Sequence, residues 1–317
     1  LKGNLNWMKS HEIRMASSTF GDMAEDIKPI IASGASDSAA LDAVFEVLVR
    51  AGRNAPMAKT MLIPEAWSKQ AVELPQAWLD MYSYVNSVME PWDGPAALAM
   101  TDGRWVCGGL DRNGLRPMRY VVNGDGLLIA GSEAGMVPVD EGSVREKGAL
   151  GPGQMIAVDM EEGKLYHDTE IKDRLAASQP FGEWVGKIVE LDDVLGKVSE
   201  KPLFAGSELR RRQIAAGYTI EELEQALAPM AEDGKEMLAS MGDDTPSAVL
   251  SKKYRPLSHF FRQNFSQVTN PPIDSLREFR VMSLKTRFGN LKNVLDESSS
   301  QTEILVLDSP FVANTQF

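Results

Sequence analysis

Apolar side chains near the start of the chain repeat with the period of a helix. After Ser36 they recur at spacings of three and four residues as far as Val49, which places them on one helix face. Ser36 or Asp37 can cap this helix, and Gly52 is suited to end it. A second helix is predicted over 75–89, with proline in its first turn. The sequence therefore predicts two amphipathic helices in this region.

From residue 95 to residue 167 the pattern changes to short apolar runs on either side of glycine-containing turns. An Asp-Gly or Asn-Gly step between two such runs is typical of a β-hairpin. The predicted hairpins pair 95–100 with 104–109, 118–122 with 127–130, and 154–159 with 164–167. Together they predict an antiparallel sheet. With the helices before it and another expected at 168–178, this half of the chain is α+β.

The second half of the chain has a different character. Residues 191–202 are charged, contain a Lys-Pro step and are interpreted as a linker. Helices are predicted beyond it, at 207–216, 219–227 and 231–241. Thr219 and Glu222 form a capping box at the start of the second of these helices. The run Ile-Leu-Val-Leu-Asp at 304–308 predicts a buried strand.

Composition narrows the range of functions. The chain has 317 residues, enough for about two domains, and 43% are apolar. A net charge of −12 argues against a nucleic-acid surface. No apolar run reaches the roughly 18–20 residues that a membrane span needs. One cysteine and three dispersed histidines predict no metal site, and the single cysteine fits a reducing cytoplasm.

Five stretches in order carry a family resemblance, at 1–8, 36–38, 91–96, 108–117 and 261–274. They include Ser-Asp-Ser, Pro-Trp-Asp-Gly-Pro-Ala and Gln-Asn-Phe-Ser-Gln-Val-Thr-Asn-Pro-Pro-Ile-Asp. Together they resemble glutamate synthase large subunits. The resemblance implies that 1–190 is the C-terminal part of a class II glutamine amidotransferase domain, with the αββα N-terminal-nucleophile fold. It implies that 191–317 is a linker and the start of an α/β central domain.

The resemblance also implies an activity. Members of this family hydrolyse L-glutamine and pass the ammonia to 2-oxoglutarate, which is reduced to L-glutamate at FMN beside a 3Fe-4S cluster. NADPH and FAD are expected through a small flavoprotein subunit. The nucleophile is an N-terminal cysteine that lies outside these 317 residues, so no catalytic residue is assigned and this stretch alone is expected to be inactive. A non-catalytic binding or regulatory module with the same fold is the alternative.

Asp37 is the strongest candidate for substrate binding. In class II amidotransferases an aspartate in this Ser-Asp-Ser position pairs with the α-amino group of the substrate glutamine. A carboxylate that holds an ammonium group in a partly dry pocket makes a charge-assisted hydrogen bond. From the sequence alone, the helix N-cap is the favoured role of Asp37; the resemblance favours substrate binding instead, and both roles are compatible.

Other candidates are weaker. Asp111 and Arg116 belong to a turn that is interpreted as a scaffold beside the active site. Asn4 and Asn6 follow the family's oxyanion segment and are candidates to support it, although packing in the core or in a turn suits them equally well. Thr269 and Asn270 are candidates for the wall of an ammonia tunnel, although the double proline that follows them also suits a plain domain-junction turn.

Cys107 is not predicted to be the nucleophile. The family's cysteine uses its own α-amino group as the base, so it must be the first residue of the mature chain. Cys107 lies in the middle of a predicted strand between Val106 and Gly108. It is expected to pack as a small apolar side chain.

Overall fold

The structure is a computed structural model that describes residues 9, 12, 20–68, 73–196, 203–235, 274–289 and 292–312 of the chain. The chain divides into two compact units. Residues 1–197 and 272–317 form the first unit, and residues 198–271 form the second. The chain therefore leaves the first unit and returns to it.

The helices are α1 (Asp37–Arg50), α2 (Ala55–Leu62), α3 (Gln76–Val88), α4 (Asp168–Ala176), α5 (Phe181–Val185), α6 (Leu191–Leu195), α7 (Gly206–Ala215), α8 (Ile220–Glu222), α9 (Ala228–Asp233) and α10 (Ser275–Met282). Single 3-10 turns lie at Gly21–Ala24, Glu141–Ser143 and Ser299–Thr302. Of these, α7, α8 and α9 belong to the second unit and the rest to the first.

Helix α1 confirms the first sequence prediction. The hydroxyl of Ser36 accepts a hydrogen bond from the amide of Ala39 at 3.2 Å, so Ser36 is the N-cap and Asp37 is the first helical residue. The alternative that Asp37 caps the helix is therefore wrong. The apolar face is buried as the period predicted, with Val44 and Leu48 fully enclosed. Helix α3 is also confirmed, and Pro75 stands at its N-cap.

Helix α2 was not predicted. Asn54 caps it by accepting from the amide of Met57 at 2.8 Å, and Pro56 occupies its first turn. All eight of its residues are buried, including Lys59. A helix enclosed on every side has no polar face, so its sequence lacks the alternation that reveals an amphipathic helix.

The strands are β1 (Ala97–Thr101), β2 (Trp105–Leu110), β3 (Arg119–Asn123), β4 (Leu128–Gly131), β5 (Val144–Ala149), β6 (Met155–Asp159), β7 (Lys164–Tyr166), β8 (Val189–Glu190), β9 (Thr286–Phe288) and β10 (Leu305–Leu307). They form sheet A in the order β1-β2-β6-β7, sheet B in the order β4-β3-β5, and sheet C in the order β8-β10-β9.

All three predicted hairpins are present, but the expectation that they build one sheet is wrong. The first and third hairpins pair through β2 and β6, in register from Trp105–Asp159 to Gly109–Met155. The second hairpin belongs to sheet B, where β3 takes β5 as its other neighbour. Hairpin signals identify strands that are adjacent along the chain. They do not determine which hairpins pair with each other.

The core of the first unit lies between helices and one face of sheet A. Alternate residues of β2, among them Trp105 and Cys107, point into this core, whereas Val106 is 44% exposed on the opposite face. Helices α1 to α4 supply most of the remaining core side chains. A helical layer on a separate antiparallel sheet confirms the α+β class.

The predicted strand at the end of the chain is confirmed as β10. Val306 and Leu307 are nearly buried, and β10 pairs in parallel with β8 and antiparallel with β9. The linker interpretation of 191–202 stays a prediction. Its first five residues form α6, which ends at Gly196, and 197–202 lie outside the described residues.

The second unit is described over 203–235. Helix α7 agrees with its predicted position, and the capping box at Thr219 and Glu222 is present. A π-helical turn, Leu223–Leu227, joins α8 to α9. Pro229 follows that turn and has no amide hydrogen, which accounts for the irregular ladder. Only the first part of the predicted helix at 231–241 can be compared: α9 already begins at Ala228 and has its C-cap at Gly234, which adopts a left-handed conformation, and 236–241 lie outside the described residues.

Candidate functional site

Asp37 lies at the exposed amino end of α1. Its side chain is half-buried, and one carboxylate oxygen accepts a hydrogen bond from the amide of Ser38 at 2.8 Å. The hydroxyls of Ser36 and Ser38 lie 3.2 Å apart beside it. No hydrogen bond to the second oxygen of Asp37 is found within the described ranges. This carboxylate therefore has capacity to accept from a ligand, at the helix end where negative charge is favoured.

An open cavity of about 620 Å³ runs along the next two turns of the same helix. Its lining includes Leu41, Phe45, Leu98 and Met100. Asp37 precedes Leu41 by four residues and therefore lies on the same side of the helix, at the amino end of this cavity, although it is not among the lining residues. The wall is mixed, because it also includes the charged residues Asp42, Glu46, Arg50, Lys59 and Asp102.

The turn that contains Asp111 is built around that side chain. Asp111 is 2% exposed. Its carboxylate accepts from the amide of Ala96 at 3.1 Å and from the amide of Asn113 at 3.0 Å. The backbone carbonyl of Asp111 accepts from Gly114 and Gly153. These bonds use the oxygens that a substrate would need, so the geometry favours the scaffold interpretation.

Of the remaining sequence candidates, only Arg116 lies among the described residues. Arg116 is exposed on the outer side of its turn. Asn4, Asn6, Thr269 and Asn270 belong to ranges that the structure does not describe, so their roles remain predictions.

Sequence reasoning overlooked Arg112, which is 7% exposed and surrounded by acidic side chains. The signal was available in part, because Arg112 lies within the quoted stretch 108–117. Its partner Asp274 ends the quoted stretch 261–274. The sequence around Arg112 and around Asp274 gives no sign that these two residues, 162 positions apart, form an ion pair.

A second overlooked feature is a buried charge network beside α2. The ammonium of Lys172 lies 2.7 Å from Asp168 and 3.1 Å from Glu65, and the hydroxyl of Tyr82 donates to Glu65. Lys59 is 1% exposed and donates to the carbonyl of Gly153 at 3.2 Å. Burial, with the neighbouring Lys172 charge, lowers the pKa of Lys59 to about 8.

Cys107 packs as predicted. It is 3% exposed in β2, and burial raises the pKa of its thiol to about 12. A protonated, enclosed thiol is a poor nucleophile, which agrees with the interpretation from sequence. Among the described residues, no group of three or more His, Cys, Asp or Glu side chains is arranged to hold a metal ion. Within the same residues, no helix is long and apolar enough to cross a membrane.

Two family models match the chain in sequence. The family described as "Glutamine amidotransferases class-II" matches residues 1–184, and "Glutamate synthase central domain" matches residues 211–317. The first match covers more than half of the chain and includes α1, sheet A and sheet B. Asp37 and Asp111 therefore both lie inside the amidotransferase stretch.

Curated relatives carry the same pair of stretches. The chain is 60% identical over its whole length to "Glutamate synthase [NADPH] large chain" of Azospirillum brasilense, of which it covers 21%. It is 43% identical over 98% of its length to "Ferredoxin-dependent glutamate synthase 2, chloroplastic" of Arabidopsis thaliana, covering 19%. It is 42% identical to "Glutamate synthase [NADH]" of Saccharomyces cerevisiae, covering 15%.

The chain thus spans about a fifth of the length of the first of these relatives. The resemblance to glutamate synthase large subunits is confirmed over the full 317 residues. The chain therefore belongs to the class II glutamine amidotransferases, the N-terminal-nucleophile family, and continues into a glutamate synthase central-domain stretch.

Proposed function

We propose that this chain works within a glutamate synthase. Its amidotransferase part contributes to hydrolysis of L-glutamine, and the released ammonia reacts with 2-oxoglutarate to give L-glutamate by reduction. The observation that carries the proposal is the ordered pair of family matches together with 60% identity over the whole chain to a glutamate synthase large chain. An amidotransferase match alone would fit many acceptors of ammonia, whereas the central-domain match favours this one.

Asp37 is proposed to bind the α-amino group of glutamine. Its half-buried carboxylate retains a free oxygen at the amino end of the cavity along α1. An ammonium group there would donate to the free oxygen without competition from Ser38, whose amide donates to the other oxygen. Such a charge-assisted bond orients the substrate, and the side chain does no covalent chemistry.

The boundary between the two functional parts is proposed near residue 190, with 1–190 as amidotransferase and 191–317 as linker and central-domain stretch. The family matches leave 185–210 unassigned, which is compatible with this division. Thr269 and Asn270 are proposed to line a path for ammonia, while Asn4, Asn6, Asp111 and Arg116 are proposed to support the glutaminase site.

The cofactors and partners follow from the proposed enzyme. FMN and a 3Fe-4S cluster would serve the reduction at sites outside these residues. NADPH and FAD would act through a small flavoprotein subunit in the cytoplasm. The relative from Azospirillum brasilense, whose name includes NADPH, supports NADPH as the electron donor. Steady-state rates with NADPH, NADH and reduced ferredoxin would decide among the three donors.

Isotope transfer tests the proposed function directly. The full-length enzyme is incubated with glutamine labelled with ¹⁵N at the amide, 2-oxoglutarate and reductant. We expect the label in the α-amino group of newly formed glutamate, detected by mass spectrometry. Glutamine hydrolysis without transfer would indicate a different acceptor. If the enzyme shows no glutamine hydrolysis and no label transfer, the result would favour the non-catalytic module.

A further inference from the structure

Four charged side chains from three parts of the chain meet in one place, here named the Arg112 cluster. Arg112 Nε lies 2.9 Å from Asp274 Oδ2, and Arg112 Nη2 lies 3.6 Å from Asp93 Oδ1. Arg277 Nε lies 3.4 Å from Asp93 Oδ2. The two positive and two negative charges balance. The cluster joins a loop, a turn and the start of α10.

The centre of the Arg112 cluster is buried. The side chains of Arg112 and Asp274 are each 4% exposed. The N–H of Arg112 Nε does not point at Asp274, so this contact is an ion pair and not an aligned hydrogen bond. A buried ion pair adds little net stability over apolar packing, because both charges lose water. Removing one partner, however, leaves an uncompensated buried charge, so the pair resists separation.

Asp274 and Arg112 each also form hydrogen bonds with the backbone of their own part of the cluster. Asp274 Oδ1 accepts from the amides of Leu276 and Arg277, both at 3.0 Å, and so caps α10. Arg112 donates through Nη1 to the carbonyl of Trp92. The same carboxylate therefore holds the helix start with one oxygen and the Arg112 turn with the other. A shift of α10 cannot occur without a change at the turn.

The Arg112 cluster spans the two family-matched stretches. Asp93 and Arg112 lie within residues 1–184, whereas Asp274 and Arg277 lie within residues 211–317. A hydrogen bond of 3.1 Å between the hydroxyls of Ser68 and Ser275 lies at the same helix start. Arg112 follows Asp111 in sequence, and the Asp111 carboxylate fixes their turn by accepting hydrogen bonds from the amides of Ala96 and Asn113. The amidotransferase scaffold is thus fastened to the central-domain stretch.

We propose that Arg112 and Asp274 are positioning residues that couple glutamine hydrolysis to glutamate formation. The inference rests on the proposed function. Ammonia released by one part is useful to the other only if it arrives before it is lost to water, where it is protonated and no longer nucleophilic. A fixed arrangement of the two parts lowers that loss. Neither residue touches substrate, and both act through the backbone that they hold.

The test uses Asp274→Asn in the full-length enzyme. Asparagine caps a helix as well as aspartate does, so the variant keeps the cap and removes the charge that faces Arg112. With amide-labelled glutamine, we expect the fraction of hydrolysed nitrogen recovered in glutamate to fall about fivefold, a typical size for a coupling change. Glutamate formation from added ammonia should stay within about twofold, because the synthase site is not altered.

Glu190→Gln is the matched control. Glu190 forms an ion pair of 3.3 Å with Lys285, just beyond α10, but 40% of its side chain is exposed. It should leave the transferred fraction unchanged, since exposed pairs contribute little. Should Asp274→Asn fail to fold, Arg112→Met carries the same test, because it removes the other charge of the ion pair and keeps a side chain of similar length.

The outcomes separate cleanly. A normal transferred fraction in Asp274→Asn would overturn the proposal. Equal losses of hydrolysis, transfer and ammonia-dependent synthesis would also overturn it, because they indicate general damage to the fold. Failure of the proposed function would show in the unmodified enzyme, which would then transfer no label at all.

Discussion

Asp37 and Asp111 are both aspartates of the amidotransferase stretch, but their surroundings differ. Asp111 is buried, and its carboxylate is occupied by two backbone amides of its own turn. Asp37 is half-buried, and its one hydrogen bond within the described residues comes from the adjacent Ser38 amide. One side chain is saturated by the fold and the other retains an open oxygen.

The difference separates the structural role of Asp111 from the binding role proposed for Asp37. A buried carboxylate that is fully hydrogen-bonded has little capacity left for a ligand, and its loss leaves backbone donors unpaired. A carboxylate at an open helix terminus contributes little to the fold and can bind a cation. We therefore expect substitutions at the Asp111 turn to lower stability, and substitutions at Asp37 to lower substrate affinity.

The largest effect on stability is expected from Asp111→Ala. It removes the acceptor for the Ala96 and Asn113 amides inside a buried turn. The free energy of unfolding should fall by about 3 kcal/mol, as for other buried polar networks. Chemical denaturation followed by circular dichroism measures the change. An unaltered denaturation midpoint for Asp111→Ala would contradict the structural role of Asp111.

Gly114→Ala is expected to have the next largest effect. Gly114 has φ +60°, and a Cβ there would lie 2.9 Å from the Pro152 backbone. We expect a loss of about 2 kcal/mol from backbone strain and crowding together. Gly103→Ala is the control, since its φ is +94° and a Cβ would meet nothing within 4 Å. If both variants lose the same amount, close packing at the Asp111 turn is not important.

Ser36→Ala should have a smaller effect on stability. It removes the cap of α1, in which the Ser36 hydroxyl accepts from the Ala39 amide. The expected cost is about 1 kcal/mol, the usual value for a lost N-cap. Ser38→Ala leaves that cap in place and should cost less. A larger loss for Ser38→Ala in thermal unfolding would mean that the cap has been assigned to the wrong serine.

Local features of the fold were predictable from sequence and long-range ones were not. The helix after Ser36, the three hairpins and the capping box at Thr219 depend on residues close in sequence, and each was found where predicted. The pairing of β2 with β6 and the separation of sheet B depend on contacts between distant strands. Hydrophobic period alone cannot choose among such pairings.

In the candidate site too, the local feature was predictable from sequence and the long-range one was not. Asp37 was found from a three-residue motif at a helix start, and the structure leaves its carboxylate accessible. The Arg112 cluster was missed, because an arginine in a polar turn predicts a solvated side chain when its partner lies 162 residues away. Asp274 was visible in sequence only as the last residue of a motif. Burial and pairing required the folded chain.

The most direct test of the account is the KM for glutamine of Asp37→Asn in the full-length enzyme. Loss of the charge that faces the substrate ammonium should raise KM about 30-fold, the effect of one charge-assisted hydrogen bond. Thermal stability and ammonia-dependent synthesis should remain unchanged. Asp22→Asn, an exposed substitution in the 3-10 turn Gly21–Ala24 and away from the cavity wall, should leave KM unaltered. A KM for Asp37→Asn within about twofold of the unmodified enzyme would contradict the assignment of Asp37 as the glutamine-binding carboxylate.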